Sequence, residues 1–166
     1  GAINCLISSI NTVSDYFSIK NSILSYSGND GIQLWGTSGT ISNNAISICN
    51  QTGIITVGTL HTITGNQIEK IGLLAGQAFS GNLANGIVVN NNDCLIKNNT
   101  IRNIGYCGIK LSSTADIITI QNNFLDSILL KGLPEKSMVI LSRTLSETQM
   151  APPILTGRLP VVSIWM

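Results

Sequence analysis

The sequence predicts an all-β solenoid of about six coils, each near 22 residues long and built from three short strands. Three observations carry this. The first is an internal repeat. The unit Ile-x-x-Asn-x-Ile occupies residues 41–46, 63–68 and 96–101, with weaker copies at 19–24 (Ser22 for Asn) and 120–125 (Asn123 in place). The second is the phase of glycine. A Gly follows the first Ile by twelve residues in four copies, at Gly31, Gly53, Gly108 and Gly132. The remaining copy reaches Gly86 after twenty-three, so it carries an eleven-residue insertion. The third is composition. Ile occurs 26 times and Asn 18 times in 166 residues. Stiff β-branched side chains suit strands, and abundant Asn, Gly, Thr and Ser argue against long helices.

The coil containing residues 94–111 illustrates each element in order. In Cys94-Leu95-Ile96-Lys97 the side chains at 94 and 96 point inward and those at 95 and 97 outward. A corner at Asn99 leads to Ile101 and Ile104, both expected inward. A second corner at 105–108 opens Gly108-Ile109-Lys110-Leu111, with 109 and 111 inward. Asn44, Asn66, Asn99 and Asn123 share the first corner. There Asn is expected to take the left-handed backbone conformation and to hydrogen-bond along its column. The recurring Gly is expected where a side chain would clash or φ is positive. One unit cannot bury its isoleucines alone, but stacked units can.

At the ends the pattern weakens. Ser9-Ile10-Asn11-Thr12 falls one coil before Gly31-Ile32-Gln33-Leu34, so the chain begins inside a coil. Its open N-terminal edge is expected to meet further coils, a cap or a homo-oligomer partner. After Gly132 the repeat fails. Residues 1–133 are therefore read as the solenoid and 134–166 as a degenerate coil, cap or tail. The chain starts Gly-Ala-Ile-Asn, without Met or a secretory leader, and is read as a fragment or processed piece.

The bulk numbers exclude several classes. Hydrophobic residues at 43% and charged residues at 10% supply a core and argue against disorder. A net charge of +1 gives no electrostatic case for nucleic acid or an anionic membrane. No apolar run approaches the ~18 residues of a membrane helix. Cys5 and Cys49 occupy one column two coils apart, nearly ~10 Å, which is too far for a disulfide. Cys94 reads as a core residue, and no Cys/His spacing suits a metal. Free structural thiols follow, and they leave the redox compartment open. His61, the only histidine, falls in the inward column of Phe17, Gly39, Cys94 and Ile118.

Ile41-Ser-Asn-Asn-Ala-Ile46 with Gly53-Ile-Ile-Thr56, and Ile96-Lys-Asn-Asn-Thr-Ile101 with Gly108-Ile-Lys-Leu111, resemble the right-handed parallel β-helix repeat of the pectate-lyase-like superfamily. The resemblance covers roughly residues 3–133. It implies a scaffold shared by polysaccharide lyases, glycoside hydrolases, uronan epimerases, copper-site maturation proteins, tailspikes and adhesins. It implies an extracellular, cell-surface or periplasmic location, and Ca2+ as the cofactor to look for. No cofactor is identified from the residues themselves.

Candidate residues then fall in three places. In the polygalacturonase branch a catalytic Asp directly precedes such a Gly, and Asn29-Asp30-Gly31-Ile32 resembles that element. The second carboxylate of an inverting hydrolase is missing, since the next coil reads Gln51-Thr52-Gly53. Asn-Asp-Gly is also a turn signal, so Asp30 is read first as a turn residue. The strand after each Gly presents an outward face with columns Gln33, Ile55, Val88, Lys110 and Trp35, Val57, Asn90, Ser112. Trp35 could stack on a sugar, Lys110 could meet a uronate carboxylate, and Gln33 adds a polar contact. The apolar insertion over residues 73–84 could instead fold over Ile55 and Val88. Glu69, Arg102 and Asp126 form an acid–base–acid column that suits a lyase or epimerase, or a set of exposed charge pairs worth ~0.2–1 kcal/mol each. The functional expectation is a secreted or surface segment that binds or processes acidic polysaccharide. The alternative is a non-catalytic structural or adhesin-type module.

Overall fold

The computed structural model describes residues 15–74 and 83–131. Expectations for the first coil, for most of the insertion and for everything after residue 131 lie outside the described residues, as do Cys5 and Gly132. Within them the chain winds about five times, and every regular element is a strand.

The first turn holds β1 (Ser18–Lys20), β2 (Ile23–Ser25) and β3 (Ile32–Thr37). The second holds β4 (Thr40–Ser42), β5 (Ala45–Ser47) and β6 (Ile54–Thr59). The third holds β7 (Thr62–Thr64), β8 (Gln67–Ile71) and β9 (Ile87–Asn92). The fourth holds β10 (Leu95–Lys97), β11 (Thr100–Ile104) and β12 (Ile109–Leu111), and the fifth β13 (Thr119–Gln121) and β14 (Phe124–Ile128). Stacking like on like gives three parallel sheets: β1-β4-β7-β10-β13, β2-β5-β8-β11-β14 and β3-β6-β9-β12. The register is that of the repeat: Ile19↔Ile41, Ile41↔Ile63 and Ile63↔Ile96 on the first sheet, Ile46↔Ile68 and Ile68↔Ile101 on the second.

Alternation does the sorting. Ile41, Ile63 and Ile96 are fully buried, as are Ile46, Ile68, Ile101, Ile54, Ile87 and Ile109 on the other two sheets. Together they form one continuous apolar column along the axis, with Cys49 and Cys94 inside it. Each coil thus supplies the floor that its neighbour needs, which explains why the period carries the fold.

The asparagine column is a hydrogen-bonded ladder. Asn44, Asn66 and Asn99 each donate Nδ2 to the Oδ1 of the next asparagine, at 3.0, 2.9 and 2.9 Å. Their backbone N–H groups donate to the same oxygens. Each Nδ2 also reaches a carbonyl one coil back, at Ile19, Ile41 and Ile63. Ser22 ends the ladder by donating its backbone N–H to Asn44 Oδ1. One expectation is corrected here. The left-handed residue of this corner is not the ladder asparagine but the one before it: Asn21, Asn43, Asn98 and Asn122, with φ of 51–55°, and Gly65 at 67°. The preceding residue turns the chain, which leaves the buried amide free to bond along the axis.

The glycines before the third sheet resolve the other way. Gly31, Gly53, Gly86 and Gly108 are needed for closeness, not for φ. A Cβ on Gly53 would lie 2.6 Å from the Gly86 carbonyl oxygen and 2.7 Å from Ile68 Cγ2.

Candidate functional site

Asp30 stands at the corner before the third sheet. The residue is 9% exposed. Oδ1 accepts the backbone N–H of Thr52 at 2.9 Å, and Oδ2 accepts Gln33 Nε2 at 2.6 Å. Burial pushes its pKa upward, and the Gln33 and Thr52 hydrogen bonds partly offset that. The Thr52 hydroxyl adds a weaker pull without meeting hydrogen-bond geometry. A raised carboxyl can in principle act as a proton donor. Here both oxygens are already engaged in hydrogen bonds and the residue is largely buried. The residues stacked on Asp30 are Thr52, Asn85 and Cys107, so this column brings no second carboxylate. Asp30 is a corner residue that knits adjacent coils through Thr52, and Gln33 is its clamp.

The outward face of the third sheet carries the residues singled out for sugar. Trp35 is 46% exposed and heads a row with Val57 and Asn90. The neighbouring row is Gln33, Ile55, Val88 and Lys110 in register. Lys110 is half-buried, and its charge lowers the pKa of the Cys107 thiol against a larger upward push from burial. Val88 is only 7% exposed although its register points outward, so the middle of this row is apolar, covered at Val88 and half-buried at Ile55. Trp35 and Lys110 therefore flank a covered centre three strand steps apart, roughly 15 Å.

The second sheet carries the charged column. Glu69, Arg102 and Asp126 lie on β8, β11 and β14 in direct register. Ser47 continues this column on β5, and Gln67 and Thr100 run beside it; sequence reasoning missed all three. With Ala45, Glu69 and Arg102 they line a shallow groove of about 170 Å³. The signal was present: the residue after each ladder asparagine is outward, as is the residue two further on. Only the second of these columns was read as one set.

His61 is a core residue. It is 1% exposed, its Nδ1 accepts the Gly39 N–H at 3.0 Å, and Nε2 faces the Val57 carbonyl at 3.2 Å. These partners fix the neutral ring with its proton on Nε2. Burial lowers its pKa, outweighing both hydrogen bonds. Cys49 is similarly shut in. Burial and then the Asp30 charge push its thiol up to about 12, so it is no nucleophile.

For the Ca2+ that the fold resemblance suggests, the described residues offer no cluster of acidic side chains. Among the described residues no three His, Cys, Asp or Glu side chains converge as ligands, and the one buried carboxylate has both oxygens occupied. Among the same residues no helix is long and apolar enough to cross a membrane.

No match was found among curated proteins or among solved structures. A family model described as a right-handed β-helix region matches residues 5–128. That span contains every strand of the three stacked sheets, the asparagine ladder and the clash-imposed glycines. The chain therefore belongs to the right-handed β-helix family.

Proposed function

We propose that this chain is a carbohydrate-binding β-helix segment working outside the cytoplasm, holding an acidic glycan along its third sheet. The observation that supports it is Trp35, a large aromatic left half in solvent on a six-residue strand. Exposed indole on rigid backbone offers a flat apolar surface and a polar N–H to a sugar ring at small entropic cost. Lys110, roughly 15 Å away along the axis, supplies a cation for a uronate carboxylate. Binding is favoured over cleavage because Asp30 is occupied and Arg102, always charged, cannot serve as a base.

Calorimetric titration with uronan oligosaccharides and with neutral oligosaccharides tests this. Trp35→Ala should weaken binding of both at least tenfold, and Lys110→Ala should weaken the acidic ligand alone. Failure of every uronan to bind, or unchanged affinity in Trp35→Ala, would refute it. A second reading, a structural or adhesin-type module, is favoured by the covered apolar centre of the same face at Val88. It expects heat-stable protein and no binding at all.

A further inference from the structure

The second sheet carries a feature that the glycan reading does not use. Its outward side chains form two rows across five strands. One row is Ile23, Ala45, Gln67, Thr100 and Phe124; the other is Ser25, Ser47, Glu69, Arg102 and Asp126. Phe124 is 55% exposed, which is unusual for an aromatic ring on a flat sheet.

We propose that this face pairs with the same face of a second copy of the chain. The argument is self-complementarity. Consider a two-fold axis parallel to the strands, lying between β8 and β11 and above the sheet. It keeps each row over its own row and reverses the order of the coils. Glu69 then faces Arg102 of the other copy, and Arg102 faces Glu69, so two opposite-charge pairs form at once. Ser47 faces Asp126, a hydroxyl against a carboxylate. Gln67 faces Thr100. Ala45, the smallest residue on the face, meets Phe124, and the shallow groove beside it gives the ring room. Among these facing residues of β5, β8, β11 and β14 no like charges are opposed. An axis through β8 would instead set Glu69 against Glu69, and this is why the register between β8 and β11 is selected. Interfaces of this isologous kind need one patch complementary to itself, and these rows are.

The face is small. Four strands overlap under this axis, β5, β8, β11 and β14; at ~4.8 Å spacing and three or four residues wide they give roughly 230 Å² per copy, against about 800 Å² for a stable complex. The pair should therefore form with Kd on the order of 0.1–1 mM and weaken as salt screens the charges. The inference stands on a different face from Trp35 and does not depend on glycan binding.

Sedimentation velocity from about 10 μM to about 1 mM reads the association directly. Wild type should move from monomer to dimer over that range. Arg102→Glu should weaken the dimer at least tenfold, and adding Glu69→Arg to it should restore Kd to within about threefold, because the reciprocal pairs are remade with their signs exchanged. Circular dichroism confirms that each variant is folded. A second measurement needs no charge change. Ala45→Cys and Phe124→Cys proteins, joined with a short bismaleimide, should cross-link when mixed and not when either is alone. Monomer throughout the range, an Arg102→Glu dimer of undiminished strength, or cross-linking without mixing would each overturn the proposal.

Discussion

Replacing Asn99 by Leu is the sharpest perturbation of the ladder. Asn99 is 1% exposed, and Leu keeps its branched outline but is bulkier, so overpacking only adds to the loss. The larger change is in hydrogen bonding. Asn99 Oδ1 accepts two bonds from Asn66, from the backbone N–H and from Nδ2, both at 2.9 Å. Asn99 Nδ2 donates to Ile63 O at 3.0 Å and to Asn123 Oδ1 at 2.9 Å. Leu removes all four. The Asn66 amide retains bonds to Ile41 O and Thr64 O, and Asn123 Oδ1 retains the Asn99 backbone N–H. The Asn66 backbone N–H is left buried without this acceptor, at a cost of about 1–3 kcal/mol, and the other lost bonds add about 1 kcal/mol each. The sum is about 4–6 kcal/mol, or a fall in Tm of roughly 8–24 °C for a chain of this size. Thermal and urea unfolding followed by circular dichroism measure it. Asn98→Gly is the companion control. Asn98 has φ of 55° and its side chain is exposed, so glycine there should cost less than about 1 kcal/mol. A loss below 1 kcal/mol in Asn99→Leu, or a larger loss in Asn98→Gly than in Asn99→Leu, would refute the reasoning.

Two further outcomes are expected. Gly53→Ala should destabilise by about 1–3 kcal/mol through the Gly86 carbonyl and Ile68 contacts, and equal urea midpoints for variant and parent would contradict the close-packing argument. His61 should make stability fall on acidification: its folded pKa lies below the unfolded 6.5, so the unfolded chain binds more protons, and stability present above pH 6.5 is lost as pH drops toward the folded value. His61→Leu should flatten that part of the pH curve, and an unchanged slope between pH 4 and 6.5 would place the titration elsewhere.

Periodicity made the vertical columns legible before any coordinates. Ile41, Ile63 and Ile96 pair as the repeat demands, and Asn44, Asn66, Asn99 and Asn123 stack as one row. Such alignments need only counting, because a solenoid places equal positions above one another. What counting could not supply is geometry within a corner. The left-handed turn belongs to Asn43 and Asn98 because only then can the next amide point along the axis. Asp30 looked like an isolated turn carboxylate with a catalytic echo. Its partners, Thr52 from the next coil and the Gln33 side chain, were named in the sequence but for other roles. Gln33, expected to serve a ligand, also clamps Asp30, an interaction that no spacing rule encodes. Val88 reads as outward by register, yet it is covered, and strand alternation alone carries no information about what lies above a sheet.

The most direct measurement of the stacked-coil account is nuclear Overhauser contact between asparagine side-chain amides in solution. The account predicts an unbroken chain of contacts from Asn44 to Asn66 to Asn99 to Asn123, each linking residues one coil apart. Absent contacts, or contacts that join these amides to sequence neighbours or to non-adjacent coils instead, would contradict it.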